Sequence, residues 1–379
     1  MSDLYLDHAA TTPMRAEARD AMLEATIVAN ANASGLHGAA RAAKNALEAA
    51  REEAASLLGA SRPLDVVFTS GGTEADNLAI GGVALSSDRR SIVCSAIEHD
   101  AVLRTAMSLA PLGYRTARVG VDAAGLIDPN ELGAIVDHDT AIVSVMAANN
   151  EIGTMEPIAS IVDAVKGRDP TIPVHTDAVQ AFVSEPITVA GTGVDLLSLS
   201  GHKFGGPKGV GLLVVAPGVA ISPVIHGGGQ EAGRRSGTSN VPGIVGMVAA
   251  MREVAATRGA FEQHVRSERD EFEAQLRTGW PAVIVNAADA PRMPQHSHVR
   301  FPGVLAETLL IRLDRAGIFA AAGSACQSGA VEPSHVLVAM GMDGQAAGEC
   351  VRFTFGWDTP VGAGREAASR VHRVLQEMT

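Results

Sequence analysis

The chain has 379 residues, 46% hydrophobic and 19% charged, and at ~150 residues per domain that length predicts two or three units, each able to bury a core. Lys and Arg number 30 and Asp and Glu 42, a formal net charge of −12, so nucleic acid and anionic membrane surfaces are disfavoured as principal ligands. A disulfide-stapled miniprotein is excluded by size, and a long disordered tail by composition.

Aromatic residues make up only 3%, while Gly reaches 40 positions, which implies many sharp bends and close approaches of backbone to a ligand. The longest uncharged run, Gly209 to Gln230, is broken by Gly and Pro and does not suit a spanning helix. The first residues carry neither a basic patch nor an apolar stretch, so a cytoplasmic protein is expected. Cys94, Cys326 and Cys350 are odd in number and widely spaced. They fit free thiols in a reducing compartment and no C-x-x-C metal site, and none of the His residues falls at H-E-x-x-H spacing, so no metal is expected.

In chain order, helical periodicity covers Ala39–Leu58, followed by an apolar strand at Asp65–Thr69 and a helix at Glu74–Leu85 with Thr73 at its N-cap. A strand at Ser91–Ser95 precedes a helix at Ala101–Leu109. Strands at Arg115–Val119 and Ala141–Ala147 precede a helix at Ile158–Lys166. Further strands are read at Pro173–Thr176, Leu196–Ser198 and Gly211–Val215. This alternation is that of an α/β fold with a mostly parallel sheet covered by helices. After the Gly-rich segment Gly227–Gly237 the rhythm changes. A long charged helix, Pro242–Arg277, leads into a shorter α/β stretch with a strand at Cys350–Phe355 and a final helix at Gly364–Glu377, read as a second domain.

In an open parallel sheet, ligands collect beyond the carboxyl ends of the strands, so polar residues there carry most weight. Thr69-Ser70-Gly71-Gly72-Thr73-Glu74 offers backbone N–H groups and a hydroxyl at a helix start, the makings of a phosphate cup, although a plain tight turn has the same form. Glu98-His99, Asn149-Asn150-Glu151 and Asp177-Ala178-Val179-Gln180 follow three other strands. An acid in the last of these suits a protonated heterocyclic nitrogen as well as a helix cap. Lys203 lies between Gly, His and Ser rather than among acids, a setting in which an amine loses its proton and attacks carbonyls. A lysine, an acid and a phosphate cup at neighbouring strand ends together suit pyridoxal 5'-phosphate.

These residues resemble a known family. The motifs Leu6-Asp7-His8-Ala9-Ala10-Thr11-Thr12-Pro13, Ser70-Gly71-Gly72-Thr73-Glu74, Glu98-His99, Asn149-Asn150-Glu151-Ile152-Gly153, Asp177-Ala178-Val179-Gln180, Ser200-Gly201-His202-Lys203, Arg235-Ser236-Gly237-Thr238 and Gly323-Ser324-Ala325-Cys326-Gln327-Ser328 are similar to those of NifS/IscS-like cysteine desulfurases, class V aminotransferases of fold-type I. The resemblance implies a large pyridoxal-phosphate domain at 14–242, and a small α/β domain from 1–13 and 243–379 bearing Cys326 and Arg352. It implies that Lys203 forms the imine with the cofactor, Asp177 pairs with the ring nitrogen and Gln180 contacts the ring oxygen. His99 is expected to stack on the ring and move protons. Gly72, Thr73, Ser200 and His202 are expected at the phosphate, joined by Thr238 from the other subunit of a homodimer, with Asn150 also near the cofactor. Arg352 and Asn150, with Asn32 and His37 nearby, are expected to hold the carboxylate of L-cysteine; the alternative for Arg352 is a surface salt bridge. Cys326, among small residues that leave a thiol exposed, is expected to take the sulfur as a persulfide, whereas Cys94 and Cys350 lie in apolar strands and are expected to be buried and inert. The implied activity is conversion of L-cysteine to L-alanine, with sulfur passed to an acceptor protein for iron–sulfur cluster assembly or for thiolation of tRNA or cofactors. Another class V enzyme, such as a selenocysteine lyase or aminotransferase, and a non-catalytic sulfur-delivery scaffold are the rivals.

Overall fold

The structure, a computed structural model, describes residues 3–323 and 333–378. After the short strand β1 (Leu4–Tyr5) come seven strands of one sheet: β2 (Val66–Thr69), β3 (Ser91–Ser95), β4 (Arg115–Val119), β5 (Thr140–Ser144), β6 (Val174–Asp177), β7 (Leu196–Ser200) and β8 (Gly211–Val215). Their order is β2-β8-β7-β6-β5-β3-β4. The pairs β4–β3, β3–β5, β5–β6 and β6–β7 are parallel, and β8 runs antiparallel to both of its neighbours. Most of these strands are buried throughout, as near-continuous apolar runs require when helices cover both faces of a sheet.

The carboxyl-terminal part builds a second apolar cluster, in which Leu4 and Leu6 pack with residues from Phe261 to Leu375. Its strands are β9 (Ile284–Val285), β10 (His296–Arg300), β11 (Ile318–Phe319) and β12 (Cys350–Thr354). β12, β10 and β9 form an antiparallel sheet, and β11 pairs in parallel with β1, which ties the start of the chain to this part. Helix Val241–Gly279 bridges the two cores. Ile244, Met247 and Met251 pack with the large sheet, and Phe261, Val265 and Phe272 pack with the second cluster.

Several boundaries differ from the sequence reading. The helix after β2 runs Gly72–Leu85 with Gly71 at its N-cap, so Thr73 lies in the first turn and not at the cap. Gly71 has φ 156° and ψ −179°, a conformation essentially closed to residues with a Cβ, and it makes the break between strand and helix. β7 continues to Ser200 because Ser200 still pairs with Gly211 of β8. Gly211 must be glycine, since a Cβ there would lie 2.5 Å from the Leu199 carbonyl oxygen and 2.7 Å from the Gly71 backbone. β6 takes in Asp177, and β5 stops at Ser144. Helices Ala16–Val28 and Ala306–Arg315 carry no counterpart in the sequence reading. Among the described residues, no helix is long and apolar enough to cross a membrane.

Candidate active site

Asp177 closes β6 and is buried, with its Oδ1 accepting the Val179 N–H at 2.9 Å. Burial raises its carboxyl above the ordinary range, against the opposing charges of His99 and Lys203. Lys203 ends the short turn Gly201–Lys203 that follows β7. Its Nζ donates to the carbonyl oxygens of Ala9 at 2.6 Å and Ala10 at 3.0 Å, and Gln180 Nε2 donates to the same Ala9 oxygen at 2.9 Å. The Asp7–Thr12 segment thus lies against the lysine, with Thr11 Oγ1 3.1 Å from His202 Nδ1.

Burial lowers the Lys203 amine to about 8, and the Arg352 charge adds to the effect, while Asp177 and Asp7 oppose it. Burial also lowers His202 to about 4, assisted by Lys203 and Lys208, which leaves its imidazole neutral at pH 7. A prediction follows for the protein without cofactor. An amine titrating near 8 is about 9% neutral at pH 7 and about 91% at pH 9, so modification of Lys203 by an amine-selective reagent should quicken about tenfold across that interval. An ordinary lysine quickens nearly a hundredfold. Peptide mass spectrometry against pH reads the difference.

At the turn before helix Gly72–Leu85, Thr69 Oγ1 donates to the Gly71 carbonyl at 3.0 Å and the Ser70 N–H donates to Glu74 at 2.8 Å. A Cβ on Gly72 would come 2.9 Å from Val179 and 3.3 Å from Ser200. Gly72 therefore lets the helix start pack directly against Val179 and Ser200, which brings the first-turn backbone beside the end of β7. Glu74 is gripped by Arg235 through bonds of 2.7 and 3.2 Å, and Thr73 is exposed. Thr238 is also exposed and lines a cleft with Thr69, Ser70, Gly209 and Arg235.

Arg352 is 3% exposed in β12, which rules out the surface salt bridge. Its Nη2 donates to Asp7 Oδ1 at 2.7 Å and its Nη1 to the Asn150 carbonyl oxygen at 2.8 Å, while Nε has no hydrogen-bond partner among the described residues. Asn150 thus meets the arginine through its backbone. The turn is shaped by Asn149, whose Oδ1 accepts the N–H groups of Glu151 and Ile152. It is also shaped by Gly153 at φ 82°, where a Cβ would strike His296 at 2.5 Å. His99 caps helix Asp100–Ser108, with Nδ1 accepting the Ala101 N–H at 3.1 Å, and is exposed. Asn32 and His37 are exposed and shape the loop before helix Gly38–Leu58. Asn32 accepts the Ser34 N–H, and His37 caps the helix through the Ala40 N–H.

Cys94 and Cys350 are 0% and 1% exposed, and burial pushes their thiols up to about 12 and about 11, as inert packing residues require. Cys326 lies outside the described residues. Among the described residues, no group of three or more His, Cys, Asp or Glu is placed to hold a metal. The sequence reading missed the pairing of Asp7 with Arg352 and the Ala9 and Ala10 carbonyls, and gave Glu98 no role. The Glu98 carboxyl is fully buried and accepts the Met146 N–H at 2.8 Å. The Asp7 motif was the available signal, but its partner lies 345 positions away.

Residues 4–361 match the class-V aminotransferase family. The chain is 41% identical over 356 residues to the cysteine desulfurase IscS of Dictyoglomus turgidum, covering 93% of this chain and 90% of that protein. It is 39% identical over 382 residues to a putative cysteine desulfurase IscS 1 of Bacillus subtilis, with full coverage of both. Among solved structures, a NifS-like protein superimposes with a TM-score of 0.91 at 34% identity, covering 99% of this chain and 100% of that one. SspA in complex with cysteine superimposes with a TM-score of 0.81 at 32% identity, over 93% and 98% of the two chains. The chain belongs to the class-V aminotransferase family and, within it, to the cysteine desulfurases.

Proposed function

We propose that this chain binds pyridoxal 5'-phosphate, converts L-cysteine to L-alanine, and takes the sulfur onto Cys326 as a persulfide for transfer to an acceptor protein. The observation that carries the reading is a lysine amine brought down to about 8 beside a buried carboxyl at the next strand end. The donor set fits the cofactor: an amine, an acid, and the start of helix Gly72–Leu85 held close to Ser200 by Gly72. Bound there, the cofactor supplies an aldehyde for a covalent link with an amine and a ring that accepts electrons from the substrate α-carbon.

Each residue then has a task. Lys203 would hold the cofactor through Nζ and, once freed from it, would take the α-proton on that same atom. Asp177 would pair with the ring nitrogen, Gln180 would bond the ring oxygen and His99 would lie against the ring. Gly72, Thr73, Ser200 and His202 bind the phosphate with N–H, hydroxyl and imidazole donors. Thr238, exposed on each chain, completes the phosphate site of a second copy, which makes the working form a homodimer with its large domain at 14–242. Arg352 presents a planar fork that passes from Asp7 to the substrate carboxylate, with Asn150, Asn32 and His37 around it. The Cys326 thiolate attacks the substrate sulfur, forming an S–S bond as the C–S bond breaks and leaving the electron pair on the carbon that becomes the alanine methyl. The acceptor serves iron–sulfur cluster assembly or thiolation of tRNA or cofactors, in the cytoplasm, where thiols stay reduced.

Arg352→Lys keeps the charge but loses the fork, so KM for L-cysteine should rise at least about tenfold with a smaller change in kcat. Steady-state kinetics check this. Cys326→Ser tests the whole reading: sulfur transfer should be lost while L-cysteine still perturbs the cofactor absorption band. Undiminished sulfur release from that variant would instead assign the chain to another class V activity, such as a selenocysteine lyase.

A further inference from the structure

Helix Gly72–Leu85, β6 and β7 each deliver one part of the cofactor site, and a set of buried polar side chains joins the three. His175 lies two residues before Asp177 in β6, so the two share a face of the sheet. Its Nδ1 lies 2.9 Å from Ser144 Oγ of β5 and its Nε2 2.9 Å from Ser198 Oγ of β7. Ser198 is in register with Asp177, and β7 runs on through Ser200 into the turn that ends at Lys203. From the helix, about one turn beyond Gly72, Asp76 reaches the same place. Its Oδ1 is 3.6 Å from His175 Nε2, and the Ser198 hydroxyl lies beside its carboxyl.

Packing alone does not account for these side chains. Ser144, His175 and Ser198 are 0% exposed and Asp76 1%, in a layer otherwise built from Ile142, Leu196, Leu213, Leu78 and their neighbours. Apolar residues would fill it without a desolvation penalty. The geometry also bears on charge. An imidazolium and a carboxylate draw together to about 2.7–2.9 Å, whereas Asp76 Oδ1 stays at 3.6 Å from the ring and has no hydrogen-bond partner among the described residues. A bare buried oxygen of that kind suits the carbonyl of a protonated carboxyl better than an ionised one. Burial and the charges of Asp177 and Glu98 push the Asp76 carboxyl well up, against the Ser198 hydrogen bond, and burial lowers His175 to about 3. Of two neighbouring buried carboxyls one keeps its proton, and here that leaves Asp177 to carry charge.

We propose that Asp76, His175 and Ser198 are positioning residues: an uncharged buried joint that fixes the start of helix Gly72–Leu85 against the strand ends bearing Asp177 and Lys203, and that leaves Asp177 as the charge presented to the ring nitrogen. The proposal rests on the cofactor assignments of Gly72, Asp177 and Lys203. The three residues act through the elements that hold the cofactor.

The test uses the full-length chain, as holoenzyme and after removal of its cofactor, carrying Asp76→Ala, Asp76→Asn, Ser198→Ala or both Asp76→Ala and Ser198→Ala. Three quantities are measured: the dissociation constant for pyridoxal 5'-phosphate by absorbance titration, the thermal midpoint, and the infrared bands of protonated carboxyls at about pH 7, where an ordinary carboxyl is ionised. Asp76→Ala and Ser198→Ala are each expected to weaken cofactor binding about tenfold. Asp76→Asn is uncharged and keeps the shape, so it should stay within about threefold of the parent while losing one protonated-carboxyl band that the parent shows. The double variant should lose no more than the worse single one, because both open the same joint. An unchanged set of carboxyl bands in Asp76→Asn, or cofactor binding in that variant as weak as in Asp76→Ala, would overturn the proposal. So would a lowered thermal midpoint in Asp76→Ala with parent-like affinity, since the joint would then serve packing alone. Should Asp76→Ala fail to fold, Ser198→Ala, which deletes one hydroxyl, decides by affinity and thermal midpoint. Failure of the cofactor reading shows separately, as a parent chain that does not bind pyridoxal 5'-phosphate.

Discussion

Lys203→Ala is expected to abolish alanine formation, lowering kcat by at least about 10⁴-fold, and to leave the fold intact. The size of the loss reflects the two tasks assigned to one nitrogen, holding the cofactor covalently and moving the α-proton. No other amine stands ready to replace it. The chain contains only four lysines, and of the other three Lys166 is engaged by Asp195 at 2.7 Å, while Lys44 lies in helix Gly38–Leu58. Lys208, close in sequence, follows the turn and is exposed. Lys203 Nζ makes its hydrogen bonds to the Ala9 and Ala10 carbonyls, so its removal leaves two backbone acceptors without that donor and disrupts no packed apolar core. Alanine release under saturating L-cysteine, with circular dichroism as the control for folding, checks the expectation.

Asp177→Ala should have the second-largest effect among the described residues. Under the proposed function this carboxylate pairs with the cofactor's ring nitrogen, and removing one member of a buried ion pair typically costs about 3–5 kcal/mol. At 1.4 kcal/mol per tenfold, that predicts a loss of about 10²- to 4 × 10³-fold in kcat/KM, together with weaker cofactor retention. The sheet explains why the carboxyl tolerates burial. Asp177 is anchored by the Val179 N–H and paired in register with Ser198 of β7, so its direction is set by backbone rather than by a flexible loop. Sign also matters for pH. Because burial raises the carboxyl in the free protein, acid should release cofactor at a higher pH than an ordinary aspartate would require, and pairing with the ring cation opposes this in the holoenzyme. Cofactor release followed by absorbance between pH 4 and 8 reads both variant and parent, at pH values chosen to span roughly both carboxyl and imidazole titrations.

The sheet was legible in the sequence where short runs are rich in apolar and β-branched residues, as at Ser91–Ser95, Arg115–Val119 and Gly211–Val215, whose limits match the structure. The site was legible for the same reason. In a parallel sheet, strand ends converge, so Asp177 and Lys203 announce themselves by position. Thr73 misled because Thr is a frequent cap, whereas the actual cap is set by the special backbone of Gly71. Helix Ala16–Val28 escaped because Ala and Glu recur on all of its faces and leave a weak apolar stripe. What no local pattern conveys is long-range pairing. Asp7 meets Arg352 across 345 positions, Lys203 meets Ala9 across 194, and Glu151 meets Ser334 across 183. The first two contacts need β1 joined to β11 and β12 beside β10, so they become visible only once the second core is assembled.

The central claim is that Lys203 is the amine that carries the cofactor. Holoenzyme purified with its cofactor, reduced with borohydride and digested, should yield a single pyridoxyl adduct, on the peptide containing Lys203 and at that residue. An adduct on Lys44, Lys166 or Lys208, or none on a protein that retains its absorption band, would contradict the account.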